Sequence, residues 1–165
     1  MSPGKEGFVF ETLANIGVIA DTHGLLRPQA ADALRGSELI LHAGDIDTED
    51  ILVSLREIAP LVVVRGNNDY GRWANELPMT QDLRIGSTHI HMLHILADLA
   101  IDPAAAGVGM VIYGHSHKPD LTERNGVTYF NPGSAGPRRF KLPITLGRIQ
   151  VRGGRLEPEL IEIAP

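Results

Sequence analysis

The 165-residue chain contains no cysteine. A disulfide framework and a thiolate metal site are excluded, so any metal must be held by nitrogen and oxygen, and a reducing compartment suits the sequence. An excess of positive charge is also missing. Fifteen basic residues face twenty acidic ones, for a formal net charge of −5, which argues against broad attraction to phosphate backbones or to an anionic membrane. No extended basic or aromatic stripe is present, so extended nucleic acid is a poor candidate substrate compared with small molecules. No apolar run approaches the ~20 residues of a membrane-spanning helix, and the opening "MSPGKEGFVFETLAN" has no signal-peptide core. The expectation is a cytoplasmic protein with no membrane partner.

What is present suits one folded unit. Hydrophobic residues make up 43% of the chain, enough at this length to bury a continuous core. Residues 1–15 read as a loose N-terminal extension without assigned function, and residues 16–165 as a single domain. From residue 16 onward, short apolar runs alternate with helix-like stretches, as expected of an α/β domain. "NIGVIADTHG", "SELILHAGD" and "PLVVVRGNND" are strands running into polar loops. Between them lie "RPQAADALRG", a helix with Pro28 in its first turn and Gly36 at its end, and "DTEDILVSLREIA", a helix opened by Asp47 or Thr48.

A loop containing Trp73 follows. "QDLRIG" and "STHIHMLH" then form a hairpin whose second strand ends at His94, and "DPAAAGVG" reads as a short helix and loop. "GMVIYGHSH" is another strand, and Asn125-Gly126 marks a second hairpin. "PITLGRIQVRGGRLEPELIEI" supplies two last strands. Parallel pairing early and antiparallel hairpins late predict a mixed sheet or two packed sheets between helices.

Chemistry gathers at five strand ends: Asp21-Thr22-His23, Gly44-Asp45, Gly66-Asn67-Asn68-Asp69, His94 and Gly114-His115-Ser116-His117. In open α/β sheets such ends converge on one rim, where ligands bind. Extended geometry would point Asp21 with His23, and His115 with His117, to the same side. Carboxylates, a carboxamide and four histidines suffice for two metal ions sharing one carboxylate. Imidazole with carboxylate favours Mn, Fe, Zn, Ni or Co over Ca or Mg. Two such dications against Asp21 and Asp45 leave roughly +2 to meet a phosphate.

In this order "IADTHG", "LHAGD", "VRGNND", a strand-terminal histidine, "YGHSH" and "NPGS" resemble the calcineurin-like metallophosphoesterases, over about residues 16–150. The similarity is to the small bacterial and archaeal phosphodiesterases that also resemble the retromer subunit Vps29. The resemblance implies a four-layer αββα sandwich of two mixed β-sheets flanked by helices. It implies a first metal on Asp21, His23 and His117, a second on Asn67, His94 and His115, and Asp45 as the bridge. Two divalent transition-metal ions per chain are expected, manganese foremost.

The catalytic residues are then Asp45, Asn67 and Asn68, and the reaction is attack of a metal-bridging hydroxide on the phosphorus of a small diester. Homo-oligomerisation is compatible with this reading. The alternative is a Vps29-like protein-interaction scaffold that has given up catalysis.

Two departures from the family pattern stand out. Asn68 occupies the position where many relatives carry a histidine that assists the leaving group, and an amide cannot act as that acid. His94 is followed by Ile95 where His-Gly is usual; His91, its competitor, falls on the opposite face of a regular strand. Other residues read as structural. His42, His89 and His91 are packed or surface histidines, Arg65 pairs with Asp69 or else contacts a substrate phosphate, and Asp69 orients a ligand. Asn131, Gly133 and Ser134 form a tight loop near the histidine pair, and "GPRRFK" at 136–141, the one basic cluster, reads as a solvated loop, the alternative being a hold on substrate phosphate.

Overall fold

Alternation in β-branched and apolar residues builds two sheets that face each other across the main core. The computed structural model describes residues 7–164. In chain order the elements are β1 (Phe8–Phe10), β2 (Asn15–Ile19), α1 (Pro28–Leu34), β3 (Leu39–His42), α2 (Glu49–Ile58), β4 (Leu61–Val63), α3 (Arg72–Asn75), β5 (Thr80–Ile85) and β6 (Thr88–Leu93). A 3₁₀ turn (Leu96–Asp98) follows, then β7 (Met110–Ile112), β8 (Asp120–Arg124), β9 (Val127–Asn131), β10 (Thr145–Arg152) and β11 (Arg155–Glu162).

The five-stranded sheet has the order β11-β10-β2-β3-β4, with β2, β3 and β4 parallel and β10 antiparallel to β2. The six-stranded sheet runs β1-β5-β6-β7-β9-β8, with β6, β7 and β9 parallel. Both sheets are mixed, as expected.

Residues two apart share a sheet face, and that rule sorts the core. Ile16, Val18, Leu39 and Leu41 from one sheet meet Ile90, Met92, Met110, Ile112 and Phe130 from the other. The opposite face of the five-stranded sheet, with Ile19, Ile40 and Val63, is covered by Leu34 of α1 and Leu52 and Leu55 of α2. Behind the six-stranded sheet the layer is thin: Leu93, Val111, Tyr113 and Val127 are covered by Leu96, Leu99 and Val108, from the 3₁₀ turn and a loop. Among the described residues no helix is long and apolar enough to cross a membrane.

Four local expectations are revised. "DPAAAGVG" closes one turn, with Ala106 N–H donating to Asp102 O and Val108 N–H to Pro103 O, and goes no further because Gly107 is left-handed at φ 75°. Trp73 lies on the one-turn helix α3 and packs on the helix-side core. Part of the supposed loose extension is a strand: β1 pairs in parallel with β5, and Phe10 is buried in the main core. Residues 1–6 of that extension lie outside the described residues. β6 ends at Leu93, leaving His94 just beyond the ladder.

Candidate metal centre

The parallel strands β2, β3 and β4 deliver Asp21, Asp45 and Asn67 to one rim, and β6 and β7 of the other sheet deliver His94, His115 and His117 to the same place. The backbone there is not extended. Asp21 (φ 53°), His23 (45°), Asp45 (59°), Asp47 (70°), His115 (71°) and His117 (62°) are all left-handed, so the i, i+2 pairing predicted from strand geometry has a different origin. Such conformations cost on the order of 1–3 kcal/mol each and persist only where the surroundings impose them.

Long-range hydrogen bonds impose them here. Asp21 N–H donates to Gly44 O (3.0 Å), His23 N–H to Asp45 O (3.0 Å) and Gly24 N–H to Ile46 O (2.8 Å), which extends the β2–β3 contact through both loops. Asp69 is the template for the second loop. Its buried carboxylate accepts the N–H groups of Asp45 (3.1 Å), Ile46 (2.8 Å), Asp47 (2.9 Å) and Gly66 (2.7 Å). The expected Arg65–Asp69 ion pair does not form, because the carboxylate is already engaged by main-chain donors. Arg65 Nε donates instead to the Asp69 carbonyl (3.1 Å). Gly66 is required by close approach, since a Cβ there would lie 2.1 Å from the Asp45 nitrogen.

The side chains so placed form two groups, Asp21–His23–His117 and Asp45–His94–His115. Asp21 Oδ1 lies 3.9 Å from His23 Nε2, 3.6 Å from His117 Nε2 and 3.8 Å from His94 Nε2. Asp45 Oδ2 stands between the groups, 3.7 Å from His23 Nε2 and 3.2 Å from His94 Nε2. Asn67 joins the second group through Oδ1, 3.0 Å from His115 Nδ1. His91 is elsewhere, on Asp82 Oδ1 (2.9 Å), which it shares with His89 (2.7 Å).

The donor set fits cations. A carbonyl only accepts, so the 2.7 Å contact from Ala43 O puts the neutral His94 proton on Nδ1 and leaves an inward lone pair on Nε2. Asp47 Oδ2 does the same for His23, at 3.1 Å from Nδ1. Asp21 Oδ1 and His94 Nε2 are buried with no hydrogen-bond partner, as is His117 Nδ1. Buried acceptors are rarely left unpaired, and converging orphan acceptors with braced imidazoles are the arrangement that a metal ion satisfies.

Charge is distributed unevenly over the two carboxylates. Burial, reinforced by the Asp45 charge, pushes the Asp21 carboxyl up to about 7 against the opposing pull of His94. Asp45 is partly buried too, yet His94 and the Asn68 N–H bring it down to about 2. Burial alone would lower His94, but the neighbouring carboxylates of Asp45 and Asp21 raise it. Burial, with Arg139 and His23 nearby, holds His117 down at about 4.

Residues 15–154 match the family described as the calcineurin-like phosphoesterase superfamily domain. The chain belongs to this superfamily. A probable metallophosphoesterase from Methanothermobacter thermautotrophicus is 34% identical over 158 residues, covering 88% of this chain and 91% of that protein. An archaeal phosphodiesterase structure superposes with a TM-score of 0.76 at 22% identity, covering 90% of this chain and 99% of its own. Vps29 from Chaetomium thermophilum gives 0.74 at 21% identity, covering 91% and 97%.

In this calcineurin-like phosphoesterase, Asn68 grips Asp45 twice, from its N–H to Oδ1 (2.9 Å) and from Nδ2 to Oδ2 (3.2 Å). Sequence reasoning missed that grip, and it missed the part played by His42. That histidine is fully buried and held at about 3 by burial; it accepts from Gly44 N–H at Nδ1 (3.1 Å), so Nε2 donates to Thr22 Oγ1 (3.0 Å) and ties two loops together. A histidine three residues before Asp45 in an otherwise apolar strand was the available signal. Asn131 Nδ2 donates to Gly114 O and Ser116 Oγ (both 3.1 Å), and Ser134 Oγ to Asp21 O (3.0 Å). The NPGS loop thus braces loops from both sheets of the phosphoesterase.

Proposed function

We propose that this family member is a metal-dependent phosphodiesterase for small diesters, built as one domain that includes β1. Asp21, His23 and His117 would hold one divalent transition cation, Asn67, His94 and His115 a second, and Asp45 would serve both. The observation that carries this reading is the position of Asp45 Oδ2, within 4 Å of an imidazole nitrogen from each group. Manganese is the ion we would load first, with Fe, Zn, Ni or Co as alternatives. Two bound dications would supply Lewis acidity toward the phosphoryl oxygens and make water acidic enough to act as a nucleophile near neutral pH.

The chain's own residues prepare that chemistry. Asp47 and the Ala43 carbonyl fix the proton positions of His23 and His94. Asn67 is a neutral ligand, so it leaves the positive charge available to phosphate. Asn68 steadies Asp45 and carries no proton to give an alkoxide, so expulsion of the leaving group should depend on that group's own acidity. Diesters with acidic leaving groups are therefore favoured.

A panel of aryl and alkyl diesters and monoesters, run on chelator-stripped protein before and after manganese reconstitution, tests this. The expected result is metal-dependent hydrolysis, faster for aryl diesters than for monoesters. Because Vps29 shares the fold to a similar degree, the absence of hydrolysis under every metal would favour the scaffold reading. Equal rates for alkyl and nitrophenyl esters would show that another acid is at work.

A further inference from the structure

A cavity of about 170 Å³ adjoins the proposed second metal position, lined by Asn67 and His94 together with Met79, Leu93 and Ile95. Its walls are mainly apolar. They include one cation, Arg65, and one anion, Asp98, so the charges offset and a second phosphate finds no net attraction there. Ile95 is the residue that departs from the His-Gly pattern of the family; glycine at this position would remove that wall. The departure therefore coincides with the apolar side of a hollow adjoining the reaction centre.

From these features, and resting on the phosphodiesterase reading, we infer that the cavity is the subsite for one ester arm of the substrate, and that the arm is uncharged, apolar and of aromatic-ring size. Size supports this: an apolar cavity of roughly 150 Å³ accepts benzene. Charge supports it as well, because Arg65 and Asp98 offset each other, so an anionic arm would be desolvated against Leu93 and Ile95 without net attraction in return. Continuity decides the placement. A phosphoryl group held at Asn67 and His94 has its substituent directed into this hollow or out to solvent, and only the hollow offers apolar burial.

Direct binding tests the subsite without relying on turnover. Inorganic phosphate, methylphosphonate and phenylphosphonate are titrated calorimetrically into the manganese-loaded full chain. Phenylphosphonate should bind about tenfold more tightly than methylphosphonate, the margin expected when part of a ring is buried. Ile95→Ser and, at an exposed position, Met79→Ser should each reduce that ratio to threefold or less, about half its logarithm. Phosphate binding with a phenyl-to-methyl ratio near one would overturn the subsite alone, as would an undiminished ratio in both variants. Failure of all three ligands to bind would remove the anion site beneath it, and with it both readings.

Discussion

The two sheets meet at the centre with different equipment. The five-stranded sheet contributes both carboxylates, and its loops are pinned by main-chain bonds, four of them into Asp69. The six-stranded sheet contributes His94, His115 and His117 with less support: His115 is exposed and His117 Nδ1 has no partner. Each three-residue group nevertheless draws on both sheets. The difference teaches that the backbone of the carboxylate loops is a finished part of the fold, whereas the side chains of both halves, Asp21 Oδ1 and His94 Nε2 among them, are completed by whatever the site binds.

The sharpest way to break that contrast is Asp69→Ala, which strands three buried donors and a partly buried fourth. It should lower unfolding stability by about 3–5 kcal/mol, as loss of one partner from a buried charged network does, measured by denaturant titration with and without metal. A loss below about 1 kcal/mol would mean that the loops hold themselves.

Next in size is a pH effect in metal-free protein. The Asp21 carboxyl is raised to about 7 in the fold from an ordinary value near 3.8, so the folded state binds its proton more tightly. Its stabilising contribution is present below pH 4 and is lost as pH rises through 7. Asp21→Asn should remove this dependence, gaining on the order of 3 kcal/mol relative to wild type between pH 4 and 8. Parallel unfolding curves at both pH values would refute it.

Asp45→Asn removes the group standing between the two clusters and should cost more than about 100-fold in activity, beyond what disturbing a single ligand's support costs. Metal stoichiometry should fall at both positions. Loss of one ion alone would show that the carboxylate is not shared.

On the imidazole side, His94→Ala should cost about 10 to 100-fold in metal affinity or activity, while His91→Ala should do little. The smallest effect concerns mobility. On manganese loading, hydrogen exchange should slow more in residues 115–118 than in 44–47, because the latter are already braced; equal protection would erase the contrast between the sheets.

Much of the site was legible because its residues follow strands too apolar to be anything but core. "LILH" and "LVVV" fix where the chain emerges, and what emerges is Asp45 and Asn67. The family likeness then ordered the rest. The cause of convergence was not legible. Alternation explains Ile16 and Val18, but Asp21 and His23 are oriented by left-handed backbone that only bonds to Gly44 and Asp45 enforce. Asp69 illustrates the limit: a carboxylate in sequence looks like half of an ion pair, and four amide donors from two loops become visible only when those loops are folded together. β1 escaped for a related reason, since three residues pairing with a strand some seventy positions later carry little local signal.

The left-handed residues have a consequence for descent. Glycine adopts that backbone at little cost, whereas aspartate and histidine, though more tolerant of it than most residues, still adopt it at these six positions at some cost. A lineage that kept this architecture for some other purpose, after giving up its chemistry, would gain stability from each replacement by glycine. Those positions would therefore be among the first to drift, and would record in its sequence when catalysis ceased to matter.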